Sequence, residues 1–260
     1  MFKPRFTITS SILNRLSEIA EIRAIVDRSR LLPTREAMLR RSSVIKMAHS
    51  STSIEGNTLN EPQVKAVFEG KFVRAEPKEI TEVKNYLLAL KEVDKISKSR
   101  SNFNSSDILK LHKLVMSGGH FRPGPVYVVN VRRDGSEQLT YTPPPHSQVS
   151  CLVENLITWV DSSTSLHPII RAGLLHYQFE SIHPFADGNG RVGRLLTLLH
   201  LYQSGWDFRR VLVLEEYYNA NRKGYYTALQ TAPSYTSRKN VDLTNWLEYF
   251  TMGFWEEAQK

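Results

Sequence analysis

His183-Pro184-Phe185-Ala186-Asp187-Gly188-Asn189-Gly190-Arg191-Val192-Gly193-Arg194 gathers more chemically active side chains than any other stretch of this 260-residue chain. It joins two segments, 169–182 and 192–201, whose apolar residues recur at helical spacing. The stretch is therefore expected to be a short connection between two helices. Such a connection can bring polar groups together at the helix ends.

The glycines of this connection predict a phosphate site. Gly188-Asn189-Gly190 can turn the backbone sharply, so that successive N–H groups point inward and form an anion-binding nest. A helix that begins near Arg191 would add its N-terminal dipole at the same place. Arg191 and Arg194 are three residues apart, so both can lie on one helix face and reach phosphate oxygens.

Two further residues supply the chemistry that phosphoryl or nucleotidyl transfer needs. Asp187 stands just before the nest, where one carboxylate could hold the Mg²⁺ that bridges nucleotide phosphates. His183 ends the preceding helix, which Pro184 stops, and it could take a proton from an attacking hydroxyl. The stretch from His183 to Arg194 thus predicts a nucleotide-using transferase.

Two other glycine motifs compete for this stretch. Gly188, Gly190 and Gly193 match the dinucleotide pattern G-x-G-x-x-G, and the strand-like segment 211–214 precedes an acidic residue, Glu215. That motif requires a buried strand before it, whereas residues 177–182 have helical spacing. A P-loop is excluded because no Gly-Lys-Ser/Thr follows the glycines.

Most of the remaining chain also has helical spacing. We expect a helix with apolar residues Ile12, Leu16, Ile19, Ile22 and Ile25, and a second with Thr34 as N-cap, core positions Met38, Leu39, Ile45 and Ala48, and a stop at Gly56-Asn57. Further helices are expected near 79–96, 149–160, 217–229 and 241–255.

One segment has the composition of β-strands rather than the spacing of helices. Residues 126–131 are β-branched, Asp134-Gly135 is a strong hairpin turn, and residues 138–141 can form the returning strand. A single hairpin in a helical chain is a protrusion rather than the core of a sheet, and it could also be a surface decoration.

The stretch resembles the signature of Fic-domain proteins, H-P-F-x-D-G-N-G-R-x-x-R, at all nine specified positions. The resemblance implies a mainly α protein with the Fic fold, a helical bundle with a β-hairpin flap (126–141) next to the active site. It implies a nucleotidyltransferase, usually a protein adenylyltransferase (AMPylator) that moves AMP from ATP to a Ser, Thr or Tyr hydroxyl of a target protein or of itself. Mg²⁺ is the implied cofactor, and the target would dock on the flap by strand-like pairing.

Residue roles follow from the same resemblance. His183 would be the catalytic base and Asp187 the metal ligand, while Gly188, Asn189, Gly190, Arg191 and Arg194 would bind the nucleotide phosphates. The stretch 216–226 is similar to the family's nucleoside-binding segment, which implies that Tyr217 and Asn221 lie near the base. Other members of the family move UMP, GMP or phosphocholine, and some remove AMP.

A second motif resembles the family's inhibitory pattern, [S/T]-x-x-x-E-[G/N]. It is Ser51-Thr52-Ser53-Ile54-Glu55-Gly56-Asn57, called the brake segment below. A carboxylate in the last turn of a helix opposes the helix dipole and so invites a cationic partner. The resemblance implies that Glu55 pairs with Arg194 and autoinhibits the enzyme. A routine exposed glutamate at a helix end is the alternative.

The whole chain sets the remaining expectations. One cysteine, Cys151, indicates a reducing, cytoplasmic setting, and neither a membrane span nor a signal-peptide core is present in the sequence. The net charge is +8, with ten Lys or Arg against four Asp or Glu in residues 1–50. A nucleic-acid-binding regulator is therefore an alternative function, although a solvated helical face is the simpler interpretation and nucleic acid is an unlikely partner. Removal of AMP by the same site is the enzymatic alternative.

The expected organisation has three parts. A helical region (1–100) carries the brake segment, a catalytic core (101–235) carries the flap, and a closing helix occupies 236–260. A homo-oligomer is possible. Fic chains of this layout often continue into a winged-helix domain, and this one ends at Lys260 without an obvious one, so we expect it to be either short or truncated.

Overall fold

The computed structural model describes residues 2–99, 102–131 and 135–260. In those residues twelve α-helices and one antiparallel pair of strands form, which confirms the expected mainly α class. The elements in chain order are α1 (Ser10–Arg28), α2 (Pro33–Ile54), α3 (Glu61–Phe68), α4 (Pro77–Ser99), α5 (Ser105–Met116), β1 (Val128–Val131), β2 (Glu137–Tyr141), α6 (Val149–Ser162), α7 (Pro168–Ile182), α8 (Asn189–Gln203), α9 (Leu214–Ala220), α10 (Arg222–Leu229), α11 (Tyr235–Arg238) and α12 (Thr244–Ala258). Two short 3₁₀ turns lie at His146–Gln148 and Phe208–Arg210.

Helices α7 and α8 form the centre of the molecule. Both are buried along almost their whole length, and they pack against each other, with α4 and α5 on α8 and α12 on α7. A helix that is apolar on most of its faces is stable only where those faces are buried in a core. The stretch from His183 to Arg194, called the elbow below, comprises the turn after α7 and the first residues of α8. Its position is fixed because both helices are buried.

Helix α12 approaches α7 closely because one position there has no side chain. A Cβ on Gly173 would lie 2.9 Å from the ring of Phe250 and 3.1 Å from Leu247. The indole N–H of Trp246 also donates to the Gly173 carbonyl at 2.8 Å. The last helix is thus part of the core that supports the elbow.

Helix α2 carries the brake segment to the centre. It packs against α9 and α4, and its buried residues begin at Ser43, so its C-terminal half enters the core. The expected N-cap, Thr34, is wrong by two residues: Leu32 is the N-cap and Pro33 is the first helical residue. Proline suits that position because it lacks an N–H and has a helical φ.

Several expected core positions are exposed. Burial in α1 ends at Ile19, and Ile25 is 69% exposed. In α2, Met38 and Leu39 precede the buried half and are 70% and 41% exposed. Helical spacing identifies an apolar face but not how far along the helix a neighbour covers it.

The hairpin forms where the sequence predicts it. Val128 pairs with Tyr141 and Val129 with Leu139, with a register shift between the two pairs. Gly135 has a positive φ of 81°, as a tight turn requires, whereas Asp134 of the expected turn lies outside the described residues. The Tyr141 hydroxyl donates to the Ser181 carbonyl at 2.6 Å, which ties the end of β2 to α7.

Three further expectations about the helices need correction. The expected helix 217–229 is two helices, α9 and α10, because Asn221 leaves helical geometry and its side chain accepts from the Gly224 N–H. The strand-like segment 211–214 leads into α9 and forms no strand. Apolar spacing does not predict helices α3 and α5, although each begins with a capping box, Asn60 with Gln63 and Asn104 with Asp107.

Buried apolar residues from all parts of the described chain form one core cluster. The division into 1–100, 101–235 and 236–260 stays a prediction. No helix among the described residues is both long and apolar enough to cross a bilayer.

Candidate active site

The site begins where α7 ends. His183 caps that helix in the left-handed conformation, with φ 51° and ψ 61°, and its N–H donates to the Phe179 carbonyl at 3.0 Å. Left-handed backbone is uncommon for a residue with a Cβ and marks functional sites more often than ordinary loops. The turn at His183, followed by Pro184, sends the chain back across the end of the helix.

Asn189 closes the loop that follows. Its side chain accepts from the Phe185 N–H and donates to the Phe185 carbonyl, both at 2.9 Å. Gly188 has φ 81°, and a Cβ there would lie 2.5 Å from the Met116 side chain, so this position requires glycine. The Asn189 side chain therefore shapes the loop, and α8 begins at Asn189, two residues earlier than expected.

Arg194 lies inside the protein, with 1% of its side chain exposed. Its Nε donates to the Ser51 hydroxyl at 2.8 Å, and its Nη2 donates to the Ser51 carbonyl at 3.0 Å and to Glu55 at 2.7 Å. The expected ion pair between Glu55 and Arg194 is therefore present. Burial by itself would lower the pKa of Arg194, but the facing Glu55 carboxylate raises it, and the net pKa lies above the ordinary value.

Gly190 leaves the space that the Glu55 carboxylate occupies. A Cβ at Gly190 would lie 2.4 Å from Glu55 Oε1 and 3.1 Å from Arg194 Nη1. Glu55 is the C-cap of α2, one residue beyond its last helical turn. The brake segment thus ends against the first turn of α8, at the point where a phosphate is expected.

Two arginine nitrogens are buried without a hydrogen-bond partner among the described residues. They are Arg194 Nη1 and Arg191 Nε, and Arg191 has only 6% of its side chain exposed. Buried donors are almost always satisfied in a working protein. An anion in the nest would satisfy them, which fits the expected role of both arginines.

Asp187 faces solvent, with 71% of its side chain exposed. Its Oδ1 accepts from the Gly188 N–H at 2.5 Å and lies 3.5 Å from Arg191 Nη2. The described residues contain no group of three or more His, Cys, Asp or Glu able to hold a metal. One exposed carboxylate suits Mg²⁺, which commonly binds through one or two carboxylates together with substrate phosphates and water.

The His183 imidazole is only partly exposed. Burial lowers its pKa to about 4, and the Arg122 guanidinium contributes in the same direction. The neutral imidazole is the form that can accept a proton, so His183 can act as a base at ordinary pH.

Tyr217 contacts α12 and Asn221 contacts α10. The Tyr217 ring packs on α12, where a Cβ at Gly253 would lie 2.3 Å from it, and its ring centroid is 5.2 Å from that of Tyr249. Asn221 is exposed and caps α10. A role of either residue at the base stays a prediction. The neighbouring Tyr226 reaches the brake segment, with its hydroxyl 3.5 Å from the Ile54 carbonyl.

Three residues of the site carry no sequence prediction. Arg222 donates to the Ser53 hydroxyl at 2.7 Å; Arg122 donates to the His183 carbonyl at 2.9 Å; and the His112 ring stacks on Phe185 with centroids 3.7 Å apart. Ser51 belongs to the brake segment, but its hydrogen bond from Arg194 is not predicted by the motif. Because Gly119 N–H donates to His112 Nδ1, the other ring nitrogen must donate to the Asp187 carbonyl. A histidine seven residues before Gly119 carries no sequence signal of this role.

Comparison with known proteins places this geometry in a family. Residues 102–201 match the model described as "Fic/DOC family". A crystal structure of a Fic family protein from Desulfovibrio desulfuricans G20 is 32% identical, covers 99% of this chain and 76% of its own, and superposes with a TM-score of 0.83. Fic-1 from C. elegans (residues 134–508) superposes with a TM-score of 0.77 at 24% identity, over 95% of this chain and 71% of its own.

Curated relatives match a shorter part. "Protein adenylyltransferase Fic" of Drosophila virilis is 34% identical over 169 residues, which is 61% of this chain and 33% of the relative. The Drosophila melanogaster protein of the same name is 32% identical over 169 residues, 61% of this chain and 32% of the relative. The chain thus matches about a third of each curated relative. Because the full signature lies between α7 and α8 and 99% of this chain matches a Fic family structure, this chain belongs to the Fic/DOC family.

Proposed function

We propose that this protein is a protein adenylyltransferase that transfers AMP from ATP to a Ser, Thr or Tyr hydroxyl of a target protein or of itself. The name of the curated relatives supports this activity. The observation that carries it is a neutral His183 at the start of the loop that leads into the glycine nest, together with two buried arginine nitrogens, Arg191 Nε and Arg194 Nη1, that have no partner among the described residues. That combination provides a base and donors for an oxyanion within the stretch from His183 to Arg194.

The proposed step is an in-line displacement. The target hydroxyl oxygen attacks the α-phosphorus, the bond from that phosphorus to the oxygen shared with the β-phosphate breaks, and pyrophosphate leaves. His183 takes the hydroxyl proton. Arg191 and Arg194 stabilise the negative charge on the β- and γ-phosphates and on the departing pyrophosphate, and the N–H groups of the nest add to this.

Asp187 would hold Mg²⁺ together with the nucleotide, and the ion would neutralise phosphate charge. The exposed Asp187 carboxylate is compatible with an ion that arrives with ATP. The carbonyl of the same residue accepts from His112, which keeps this part of the loop in place.

The flap is the proposed docking site for the target. Tyr127, Val129 and Leu139 are exposed apolar side chains on or beside the hairpin. An extended target segment can add to such an edge by main-chain hydrogen bonds while the side chains provide contact area. The root of the hairpin is tied to α7 beside His183, so a segment bound there would be near the base.

Glu55 is proposed to act as a brake. While Arg194 binds Glu55 and Ser51, only its Nη1 is left for a phosphate, and the Glu55 carboxylate fills the space beside Gly190. ATP would therefore bind with its triphosphate badly aligned for attack at the α-phosphate. Removal of the carboxylate would free the arginine.

We also propose a cytoplasmic setting, because the chain has a single cysteine.

The experiment that tests the function measures labelling of the protein with labelled ATP, GTP, UTP and CTP in the presence of Mg²⁺. Wild type, Glu55→Gly and His183→Ala are compared. We expect ATP to label Glu55→Gly most strongly and His183→Ala not at all. Preference for another nucleotide would change the transferred group, and no labelling by Glu55→Gly with any nucleotide or target extract would contradict the proposal. Release of AMP from a modified protein, lost in Glu55→Gly, would instead identify a de-AMPylase.

A further inference from the structure

Arg122 lies between α5 and β1 and is buried, with 4% of its surface exposed. Each nitrogen of its guanidinium donates to a backbone carbonyl: Nε to His183 at 2.9 Å, Nη1 to Gly124 at 3.1 Å and Nη2 to Pro144 at 2.5 Å. Its own N–H donates to the Pro184 carbonyl at 2.9 Å. Arg122 therefore bonds four backbone carbonyls from three separate segments.

The first of these segments is the strained turn that bears the base. His183 holds a positive φ of 51° although it has a Cβ, and such a conformation persists only where its surroundings hold it. Arg122 binds the carbonyl of His183 through its side chain and the carbonyl of Pro184 through its backbone. The two consecutive peptide units that follow the Cα of His183 are thus fixed by one residue.

The other two segments are the two roots of the flap. Gly124 precedes β1 and Pro144 follows β2, so the guanidinium lies between the ends of the hairpin and joins them. Its planar fork of donors reaches three carbonyls at once, whereas the compact ammonium of a lysine lacks that fork. A single side chain therefore connects the hairpin to the turn at His183.

We propose that Arg122 is a positioning residue that holds His183 in its left-handed conformation and fixes the flap relative to it. The base and a hydroxyl docked on the flap would then keep a constant position relative to each other. The inference deepens the proposed adenylyl transfer and rests on it. Reaction rates are sensitive to displacements of about 1 Å between reacting groups. Loss of the Arg122 hydrogen bonds should therefore reduce the rate of transfer by a larger factor than the affinity for ATP.

The charge of Arg122 acts on the same imidazole. Burial is the main cause of the low pKa of His183, and Arg122 lowers it further. The charged or polar groups that face the ring come from four elements: Glu180 of α7 through its backbone, Arg122 before the flap, Glu55 after α2 and Arg238 of α11. Of these, Glu180 and Glu55 raise the pKa, and Arg238 lowers it.

Two substitutions separate geometry from charge. Arg122→Lys keeps the positive charge and loses the fork, whereas Arg122→Gln loses both. Arg171→Gln is the matched control, because Arg171 is a partly buried arginine at the other end of α7 that donates to His200 and Ser204. All three are made in the Glu55→Gly protein, and the folded fraction is measured by thermal unfolding with circular dichroism.

The first measurement does not need activity. The His183 imidazole is titrated by NMR, with its signal assigned from its loss in His183→Asn. We expect Arg122→Gln to raise the pKa of His183, Arg122→Lys to shift its signal while the pKa stays low, and Arg171→Gln to leave both unchanged. An unaltered His183 titration in Arg122→Gln would overturn the inference whether or not the protein transfers AMP.

The second measurement is the single-turnover rate of self-labelling with ATP, together with the Kd of ATP. We expect both Arg122 variants to lose roughly tenfold or more in rate per folded molecule with a Kd within about twofold of the parent. A rate equal to that of the parent despite an altered His183 signal would overturn the positioning role. If the Glu55→Gly parent itself labels nothing, the proposed function fails, and the NMR comparison alone decides the role of Arg122. If Arg122→Gln does not fold, the same outcomes are read from Arg122→Lys, in which an unchanged His183 signal overturns the inference.

Discussion

Burial lowers the pKa of His183, so its imidazole is neutral at ordinary pH and can accept a proton. His183→Ala should abolish labelling by Glu55→Gly protein, since a general base acts in the transition state. The Kd of ATP and the melting temperature should change little. Undiminished transfer by the alanine variant would end the assignment of the base.

The low pKa of His183 also predicts a pH profile. An imidazole is a base only when deprotonated, and with a pKa of about 4 it stays deprotonated well below the ordinary 6.5. The single-turnover rate at saturating ATP should therefore stay level as pH falls from about 8 to about 5.5, and decline only as the pKa is approached. A decline centred near pH 6.5 would show that His183 titrates as an ordinary exposed histidine.

At the scale of secondary-structure elements, the end of α2 meets the start of α8 through Glu55 and Arg194. Glu55→Gly should raise self-labelling by at least about tenfold, equivalent to roughly 1.4 kcal/mol. Arg194→Ala and the double variant should stay inactive, because the proposed reaction uses the arginine to bind phosphate. The measurement is the initial rate of label incorporation.

A charge control is available close by on the chain. Glu55→Gln and Glu61→Gln remove the same charge, but Glu61 is the first residue of α3 and is not among the partners of Arg194. Only Glu55→Gln should activate. Equal activation by both variants would mean that net charge, rather than the ion pair, controls the rate.

The crossing of α7 and α12 allows a second test at this scale. Gly173→Ala would place a methyl group 2.9 Å from the Phe250 ring, and overpacking of a core costs about 1–3 kcal/mol. The better helix propensity of alanine offsets only about 1 kcal/mol of this. Urea unfolding should therefore show a lower free energy of unfolding for Gly173→Ala.

The control for that test reduces the contact between residues 173 and 250 by making the Phe250 side chain smaller. Phe250→Leu should be destabilising alone, but the double variant Gly173→Ala/Phe250→Leu should lose less than the sum of the two, because both changes act at one contact. Additive losses would place the cost of Gly173→Ala elsewhere.

For the molecule as a whole, the basic N-terminal region bears on the alternative of a nucleic-acid-binding regulator. Several of its basic side chains lie in ion pairs: Arg15 with Glu248, Arg23 with Asp27, Arg40 with Glu36, Arg41 with Glu69 and Lys46 with Glu216. A helical face whose charges are compensated in this way provides fewer contacts for phosphates. This arrangement favours a solvated surface over a nucleic-acid site.

Binding to DNA and RNA should accordingly be weak and insensitive to sequence. At physiological salt we expect a Kd of roughly 10⁻⁶ M or weaker, and a steep loss of affinity as salt rises. Replacement of the exposed Arg28 and Arg30 by glutamine should weaken this residual binding for all sequences alike. Fluorescence anisotropy with several unrelated duplexes measures it; nanomolar, sequence-selective binding would favour the regulator instead.

The sequence by itself determined the parts of this protein that depend on neighbouring residues. The elbow from His183 to Arg194, the hairpin, and the helices around them follow from glycine, proline and apolar spacing, which act over a few residues. The pairing of Glu55 with Arg194, 139 residues apart, was predicted only through the likeness of two short motifs to a family. Periodicity alone also misplaced boundaries, as at Asn221, where a side-chain cap divides one expected helix into two.

Tertiary structure alone decided which groups complete the site. Ser51, Arg122 and His112 reach the elbow from α2, the segment before the flap and α5, and each makes its contact with a backbone or side chain more than sixty residues away. Nothing in the neighbouring residues marks Arg122 or His112, and the motif that contains Ser51 does not show that its hydroxyl accepts from Arg194. Their roles arise because packing around α7 and α8 buries donors and acceptors that must then be satisfied, and only the folded chain determines which side chains are near enough to satisfy them.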